Sequence, residues 1–268
     1  MYRRRGCVMD AELYLDYNTP YHRLDARTKI IVFLCIFVGV LMFQDPRWLI
    51  PTLLLVLVQL FVSRSARNLQ RIRYVLLVMS ISSIVLWNFF ASGTTPLFWV
   101  FDVESMYYAI GRTILIFSIV TMGVILISTT RNEELIMGMI KMGLPYRVGF
   151  AISTSLRLVP TVAASLMTIS QAQRSRGLDL ESGNIVQRVK KFLPLLVPVF
   201  ISSIRNTNIF GMALESRGFG AREERTYYLQ MQMTKADWAV LTFFFIYVAV
   251  SIWLNVAGYG KIVGLVRF

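Results

Sequence analysis

An all-α integral membrane protein is the fold class this sequence predicts, and three observations predict it. Of 268 residues, 56% are hydrophobic and only 16% charged, and the mean hydropathy is +0.57, well outside the range of a soluble globular domain. Apolar runs of spanning or near-spanning length recur along the chain. The 28 Lys and Arg, against 15 Asp and Glu, are segregated between loops on one side of those runs, the signature of helices threaded through a bilayer.

Five runs are expected to cross: 30–43, 48–62, 74–90, 107–128 and 238–257. The first two are short against the ~20 residues a ~30 Å core requires, so they draw length from flanking residues or sit where the bilayer is thin. The chain divides into a cytoplasmic N-terminal segment 1–29, transmembrane helices one to four in 30–128, a cytoplasmic or interfacial domain of long coupling helices in 129–235, and the last transmembrane helix with its tail in 236–268.

Charge orients these elements. Arg3, Arg4, Arg5, Arg23, Arg27 and Lys29 precede the first span, Arg64, Arg67, Arg71 and Arg73 separate the second from the third, and fourteen more Lys and Arg lie in 131–235. The opposite side has Arg47, Lys261 and Arg267, with Arg112 near a helix end. The positive-inside rule then places the N-terminus in the cytoplasm. The net charge of +13 follows from that bias and from anionic headgroups, so nucleic acid is not an expected partner. Cys7 and Cys35 do not suggest a disulfide framework, and the first apolar run begins too late and lacks the cleavage site of a signal peptide.

Within 129–235 the signals are helical. Thr130 and Glu133 have capping-box spacing, Leu135, Ile136, Met139 and Ile140 form an apolar stripe, and Gly143 with Pro145 ends the helix. A second helical run goes from Tyr146 to Val159, and Pro160 is placed to start or kink the next. The run 192–201 contains Pro194 and Pro198 and reads as a helix boundary rather than a span.

One hexapeptide pattern occurs twice here. Ala172-Gln-Arg-Ser-Arg176-Gly177 and Ala213-Leu-Glu-Ser-Arg217-Gly218 both fit Ala-x-x-x-Arg-Gly. Val159, Val162, Ala163, Leu166 and Ile169 lead at helical spacing into the first, and Phe200, Ile204, Thr207, Gly211 and Leu214 into the second. Each copy is therefore the end of a long helix, with Gly177 and Gly218 as left-handed terminators and the arginine favoured by the negative end of the dipole. A basic last turn with a glycine cap is the bland reading of one copy. Two copies make a repeated docking point, since a planar guanidinium beside a glycine can engage carboxylates or carbonyls in a partner's groove.

These residues resemble the T component of energy-coupling factor transporters, the EcfT and CbiQ-related family. The resemblance extends over Leu24-Asp-Ala-Arg27-Thr-Lys29 before the first span, Thr129-Thr130 through Glu133-Glu134-Leu135 to Gly143-Leu-Pro145-Tyr-Arg147, and Leu156-Arg157-Leu-Val-Pro160. It implies a multi-pass, non-catalytic subunit of a prokaryotic cell membrane, without cofactor. Its coupling helices would dock through Ala172, Ser175, Arg176, Gly177, Ala213, Ser216, Arg217 and Gly218 onto a pair of ABC-type, EcfA-like ATPases. Its membrane helices would hold a substrate-binding S component for a vitamin or metal ion. The differing interiors, Gln173-Arg174 against Leu214-Glu215, would suit two non-identical ATPases.

Other functions find less support. Intramembrane catalysis needs ionisable groups inside spans, and the spans offer almost none. His22 is the only histidine, whereas a metal site needs several ligands. No phosphate-binding loop of the form Gly-x-x-x-x-Gly-Lys-Ser/Thr is present, since Gly258-Tyr-Gly-Lys261 lacks its first glycine and its hydroxyl. ATP hydrolysis would belong to a partner. A self-contained secondary transporter or channel with a cytoplasmic regulatory domain is the alternative, but Ser82, Ser83 and Asn88 read better as glue between helices than as a substrate path. Met137, Met139, Met142 and Met212 would give an adaptable contact surface.

Overall fold

In a computed structural model the described residues are 19–92, 96–98, 101–178, 185–221, 232–260 and 266–267. They form helices α1 (Ala26–Met42), α2 (Pro46–Ser63), α3 (Ala66–Arg71), α4 (Arg73–Phe90), α5 (Val103–Thr129), α6 (Asn132–Lys141), α7 (Tyr146–Ser175), α8 (Ile185–Ser216) and α9 (Lys235–Val256). Short antiparallel strand pairs join β1 (Ala91–Ser92) to β4 (Val266–Arg267) and β2 (Pro96–Phe98) to β3 (Phe101–Asp102). The chain forms two compact units, one from Met1–Leu144 with Met231–Phe268 and one from Pro145–Gln230.

The five expected spans coincide with α1, α2, α4, α5 and α9. Their starts lie up to four residues earlier than hydropathy suggests, because polar first turns are capped outside the apolar run. Asp25 accepts from the Arg27 N–H at 3.0 Å and Asp45 from the Arg47 N–H at 2.9 Å, while Thr234 and Asp237 form a full capping box at α9. Arg112 therefore lies inside α5 rather than near its end, because that helix begins at Val103. Among the described residues six helical stretches are long and apolar enough to cross a membrane, α2, α4, α5, α7, Phe192–Ser216 of α8, and α9; α1, expected to span, has 17 residues and is not one of them, while α7 and α8, expected outside the membrane, are.

In the first unit α5 packs on α1, α2 and α4, and α1 on α9. Val32, Ile36, Val40, Leu49, Val56, Met122 and Ile125 are buried there. In lipid such packing depends on close approach and a few interhelical hydrogen bonds rather than on hydrophobic exclusion. Gly111 provides the approach, since a Cβ there would stand 2.6 Å from the Gln44 carbonyl oxygen. One bond joins the Thr52 and Tyr247 hydroxyls at 2.8 Å, and in another Asn68 Nδ2 donates to Ser128 Oγ at 2.8 Å. Ser82 and Asn88, expected as glue, instead donate to Met79 and Ile84 of their own helix. A hydroxyl or amide on a helix can always reach back to a carbonyl three or four residues earlier.

Two expected boundaries are absent. α7 runs without a break through Pro160, and the 192–201 stretch is the interior of α8, with Pro194 and Pro198 inside the helix. Proline at 198 removes the N–H that would bond the carbonyl of Pro194. Gln173 of α7 supplies the missing donor, its Nε2 lying 3.4 Å from that oxygen. The expected capping box at α6 is absent as well. The N-cap is Arg131 without a side-chain cap bond, because Thr130 is drawn into the buried joint after α5 and is 2% exposed.

Candidate partner-docking site

The second unit consists of α7 and α8, about 45 and 48 Å long at ~1.5 Å per residue. They run antiparallel. Gln173, near the end of α7, meets Pro194 near the start of α8, and Phe219, just past α8, stacks against the first turns of α7. Its ring lies 4.5 Å from Phe150 and 6.3 Å from Tyr146. The two hexapeptides therefore sit at opposite ends of the pair. The rise from Pro194 to Arg217 alone separates them by roughly 35 Å.

Both copies fold into the same cap. In the first, Arg176 is the C-cap and Gly177 has φ +88. The Gly177 N–H bonds the Arg174 carbonyl at 3.0 Å and the Leu178 N–H the Gln173 carbonyl at 3.0 Å. In the second, Gly218 has φ +69, its N–H bonds Glu215 at 2.9 Å, and the Phe219 N–H bonds Leu214 at 3.0 Å. This pair of bonds is the Schellman motif, and it fixes what each letter of the pattern does. Glycine is the left-handed residue, arginine is the last residue before it, and alanine lies one turn back.

The cap itself is ordinary in this chain. α6 ends the same way, with Gly143 and Leu144 bonding Ile140 and Met139, and so does α9, with Gly258 and Tyr259 bonding Asn255 and Leu254. In those two the residue before glycine is Met142 or Ala257. What distinguishes the two hexapeptides is the arginine. Ala172, Ser175, Arg176, Gly177, Ala213, Ser216, Arg217 and Gly218 are all exposed. Among the described residues nothing bonds either the Arg176 or the Arg217 guanidinium. Ser175 Oγ donates to Gln171 and Ser216 Oγ to Ala213, so both hydroxyl protons are used within the helix.

The variable interior of the pattern has an intramolecular cause. Gln173 and Leu214 occupy equivalent places, each half-buried. One mends the α8 hydrogen-bond ladder and the other lies where a Schellman cap puts a hydrophobic contact with the residue after glycine, here Phe219. Phe219 is the contributor that the sequence reading missed. Its signal was present, an apolar residue five after Leu214.

A family model described as CbiQ, Cobalt transport protein, matches residues 17–228. The chain belongs to the CbiQ family. Curated relatives of this CbiQ-family chain include the energy-coupling factor transporter transmembrane protein EcfT of Thermosediminibacter oceani, 31% identical over 242 residues, covering 84% of this chain and 90% of the relative. EcfT of Staphylococcus aureus is 30% identical over 263 residues, 85% and 90% covered. That of Lactococcus lactis is 28% identical over 243 residues, 84% and 89% covered. The matched region contains both hexapeptides, and the named relatives are transmembrane transporter components.

The CbiQ match also takes in Leu24–Lys29, which the structure shows to be a joint in the first unit. Lys29 is 1% exposed. Its Nζ donates to the Thr129 carbonyl at 2.8 Å, capping the end of α5, and to the His22 carbonyl at 3.2 Å. The Asp25 N–H donates to Asp237 Oδ1 at 2.9 Å, which holds the starts of α1 and α9 together. Burial lowers the Lys29 pKa to about 8, against the smaller opposing pull of the Glu134, Asp237 and Asp25 carboxylates. Gly138 of α6 packs on Ala26, where a Cβ would lie 3.2 Å from the Ala26 Cβ. Beside the joint, burial pushes the Tyr21 phenol up from its ordinary range. Among the described residues no three His, Cys, Asp or Glu side chains gather as a metal site.

Proposed function

We propose that the chain is the transmembrane coupling subunit of an energy-coupling factor importer, that it docks two cytoplasmic ATPases through Arg176 and Arg217, and that it passes their motion to a substrate-binding S component. The observation that carries this reading is the pair of identical arginine-tipped caps at opposite ends of an antiparallel helix pair. Ends roughly 35 Å apart fit two separate grooves on a two-fold partner, and do not fit one. The EcfT relatives support the same reading.

In this scheme closure of an ATP-driven dimer changes the distance between its grooves. Stiff helices convert that change into rotation of their apolar faces, a rigid-body transition driven from an interface. Those faces are exposed along both helices, from Val148, Ile152 and Leu156 on α7 to Leu196, Phe200 and Ile204 on α8. Exposed Met139, Met142 and Met212 add surface that can repack around different partners. Although α7 and α8 are long enough to span, Arg157 and Arg205 lie well inside them. A charge at the bilayer centre costs ~2.5–3.5 kcal/mol on the insertion scale, which favours an interfacial or cytoplasmic position. The N-terminus is cytoplasmic in this scheme, and the chain itself hydrolyses nothing.

The test is co-expression with the cognate ATPases and S component in mild detergent. Arg176→Ala with Arg217→Ala is expected to lose ATPase co-purification and substrate uptake while the membrane unit keeps its helicity. Each single variant should retain part of the binding. Unchanged co-purification and uptake in the double variant would overturn the docking assignment, and uptake by the chain alone would overturn the subunit reading.

A further inference from the structure

α4 and α5 meet at an edge-to-face contact of Trp87 with Tyr108, ring centroids 5.2 Å apart. One turn further along α5, the Arg112 guanidinium lies over both rings, 5.4 Å from Trp87 and 4.8 Å from Tyr108. Nη2 donates to the Tyr108 hydroxyl, and Nε is buried without a hydrogen-bond partner. An ion pair between Arg27 and Asp25 lies elsewhere in the first unit. A guanidinium is always charged and carries five donors, so with one of them on Tyr108 this cation keeps donors that an anion would satisfy.

Depth identifies which anion. α5 has 27 residues, about 40 Å, and exceeds a ~30 Å hydrocarbon core by about 5 Å at each end. Arg112 is nine residues in, so its Cα lies about 9 Å below the boundary, and its side chain reaches back one ~5.4 Å turn to Tyr108. The guanidinium thus comes within about 3–4 Å of the boundary, where Trp and Tyr collect, and a headgroup phosphate that dips to meet it is within hydrogen-bonding reach. A second cation, Arg47, lies 5.9 Å from the Tyr107 ring at the same end of α5. Leu86, Phe89, Met106 and Ile110 around this place are exposed, which suits acyl chains and offers nothing to a free ion.

We propose that the Arg112 guanidinium, clasped by Trp87 and Tyr108 where α4 ends and α5 begins, seats the phosphate of an anionic phospholipid in that leaflet. In the orientation proposed above this is the outer leaflet, but the site does not depend on that assignment. The aromatic faces hold the cation in place, and the terminal guanidinium donors that Tyr108 leaves unused would bond the phosphate oxygens, while Nε stays buried behind them.

The test uses the full chain purified in mild detergent, stripped of lipid and titrated with phosphatidylglycerol, phosphatidylcholine or inorganic phosphate, with bound lipid counted by native mass spectrometry. Wild type should retain phosphatidylglycerol at least tenfold better than phosphatidylcholine, and inorganic phosphate should not compete at millimolar concentration. Arg112→Gln should lose that preference, and Arg47→Gln should keep most of it. Arg112→Lys retains the charge if Gln impairs folding, and should bind several-fold more weakly because the planar fork is gone. Equal retention by wild type and Arg112→Gln would overturn the proposal, as would competition by inorganic phosphate. Loss of a co-purifying membrane protein from Arg112→Gln with lipid retention unchanged would also overturn it, making a partner's carboxylate the counter-ion.

Discussion

Replacing Lys29 by Met tests the joint that ties α1, α5 and α9. Met keeps most of the stem's volume, so the packing around the methylenes is retained and the change is confined to the ammonium. Two effects oppose each other. Removing a buried charge relieves a desolvation cost of several kcal/mol. Against this, two charge-assisted bonds of about 1.5–3 kcal/mol each are lost, the Thr129 carbonyl loses its 2.8 Å donor, and an unsatisfied buried acceptor costs about 1–3 kcal/mol. Burial outweighs the attraction of Glu134, Asp237 and Asp25 and lowers the Lys29 pKa to about 8, so the relieved desolvation offsets most of the lost charge-assisted bonding. What is left is the orphaned carbonyl, and the expected net destabilisation is about 1–3 kcal/mol. Denaturation of the purified chain in mixed micelles, followed by circular dichroism, measures it. A Lys29→Met protein within about 0.5 kcal/mol of wild type, the range of an uninvolved surface substitution, would refute the argument that this ammonium holds the joint.

Three further outcomes follow from the packing. Gly111→Ala forces a Cβ against the Gln44 carbonyl at 2.6 Å, backbone that cannot rotate away, and should cost about 1–3 kcal/mol as overpacking in the same micelle assay. Phe219→Ala removes the stack on Phe150 and Tyr146 and should cost about 1–3 kcal/mol, with Phe219→Leu recovering part; limited proteolysis should cut the α8 end sooner. Gly177→Ala or Gly218→Ala strains a left-handed residue by about 1–2 kcal/mol. Amide exchange at Leu178 or Phe219 should then accelerate roughly 5–30-fold, and unchanged exchange would show that the cap does not depend on glycine.

The helices were legible where a local signal stood alone. Hydropathy located the helices that became α1, α2, α4, α5 and α9, and glycine with its preceding arginine located the ends of α7 and α8. What was not legible came from partners distant in sequence. Nothing local says that Gln173 will repair a ladder broken by Pro198, so two prolines in ten residues read as a boundary. Nothing near Lys29 says that a lysine in a run of positive-inside charges will be buried against Thr129, a hundred residues on. Arg112 looked like a helix-end charge because the helix start was read from apolarity alone.

For the docking tips, the separation of cap from contact matters most. Among the described residues four helices end in the same glycine-terminated cap, so the glycine alone does not set the two hexapeptides apart. It sets the direction of the chain, and the arginine before it is the variable that α6 and α9 lack. A lever, though, needs stiffness between its ends, and α8 carries two prolines that each remove a ladder bond. The antiparallel pair is tied near one tip by Gln173 to Pro194 and near the other by Phe219 to Phe150 and Tyr146. Each tie is made by a residue inside or beside a hexapeptide. The same short segments therefore present the arginine and brace the helix behind it, so under the proposed function a displacement of either tip would be transmitted along the pair instead of being absorbed at the prolines.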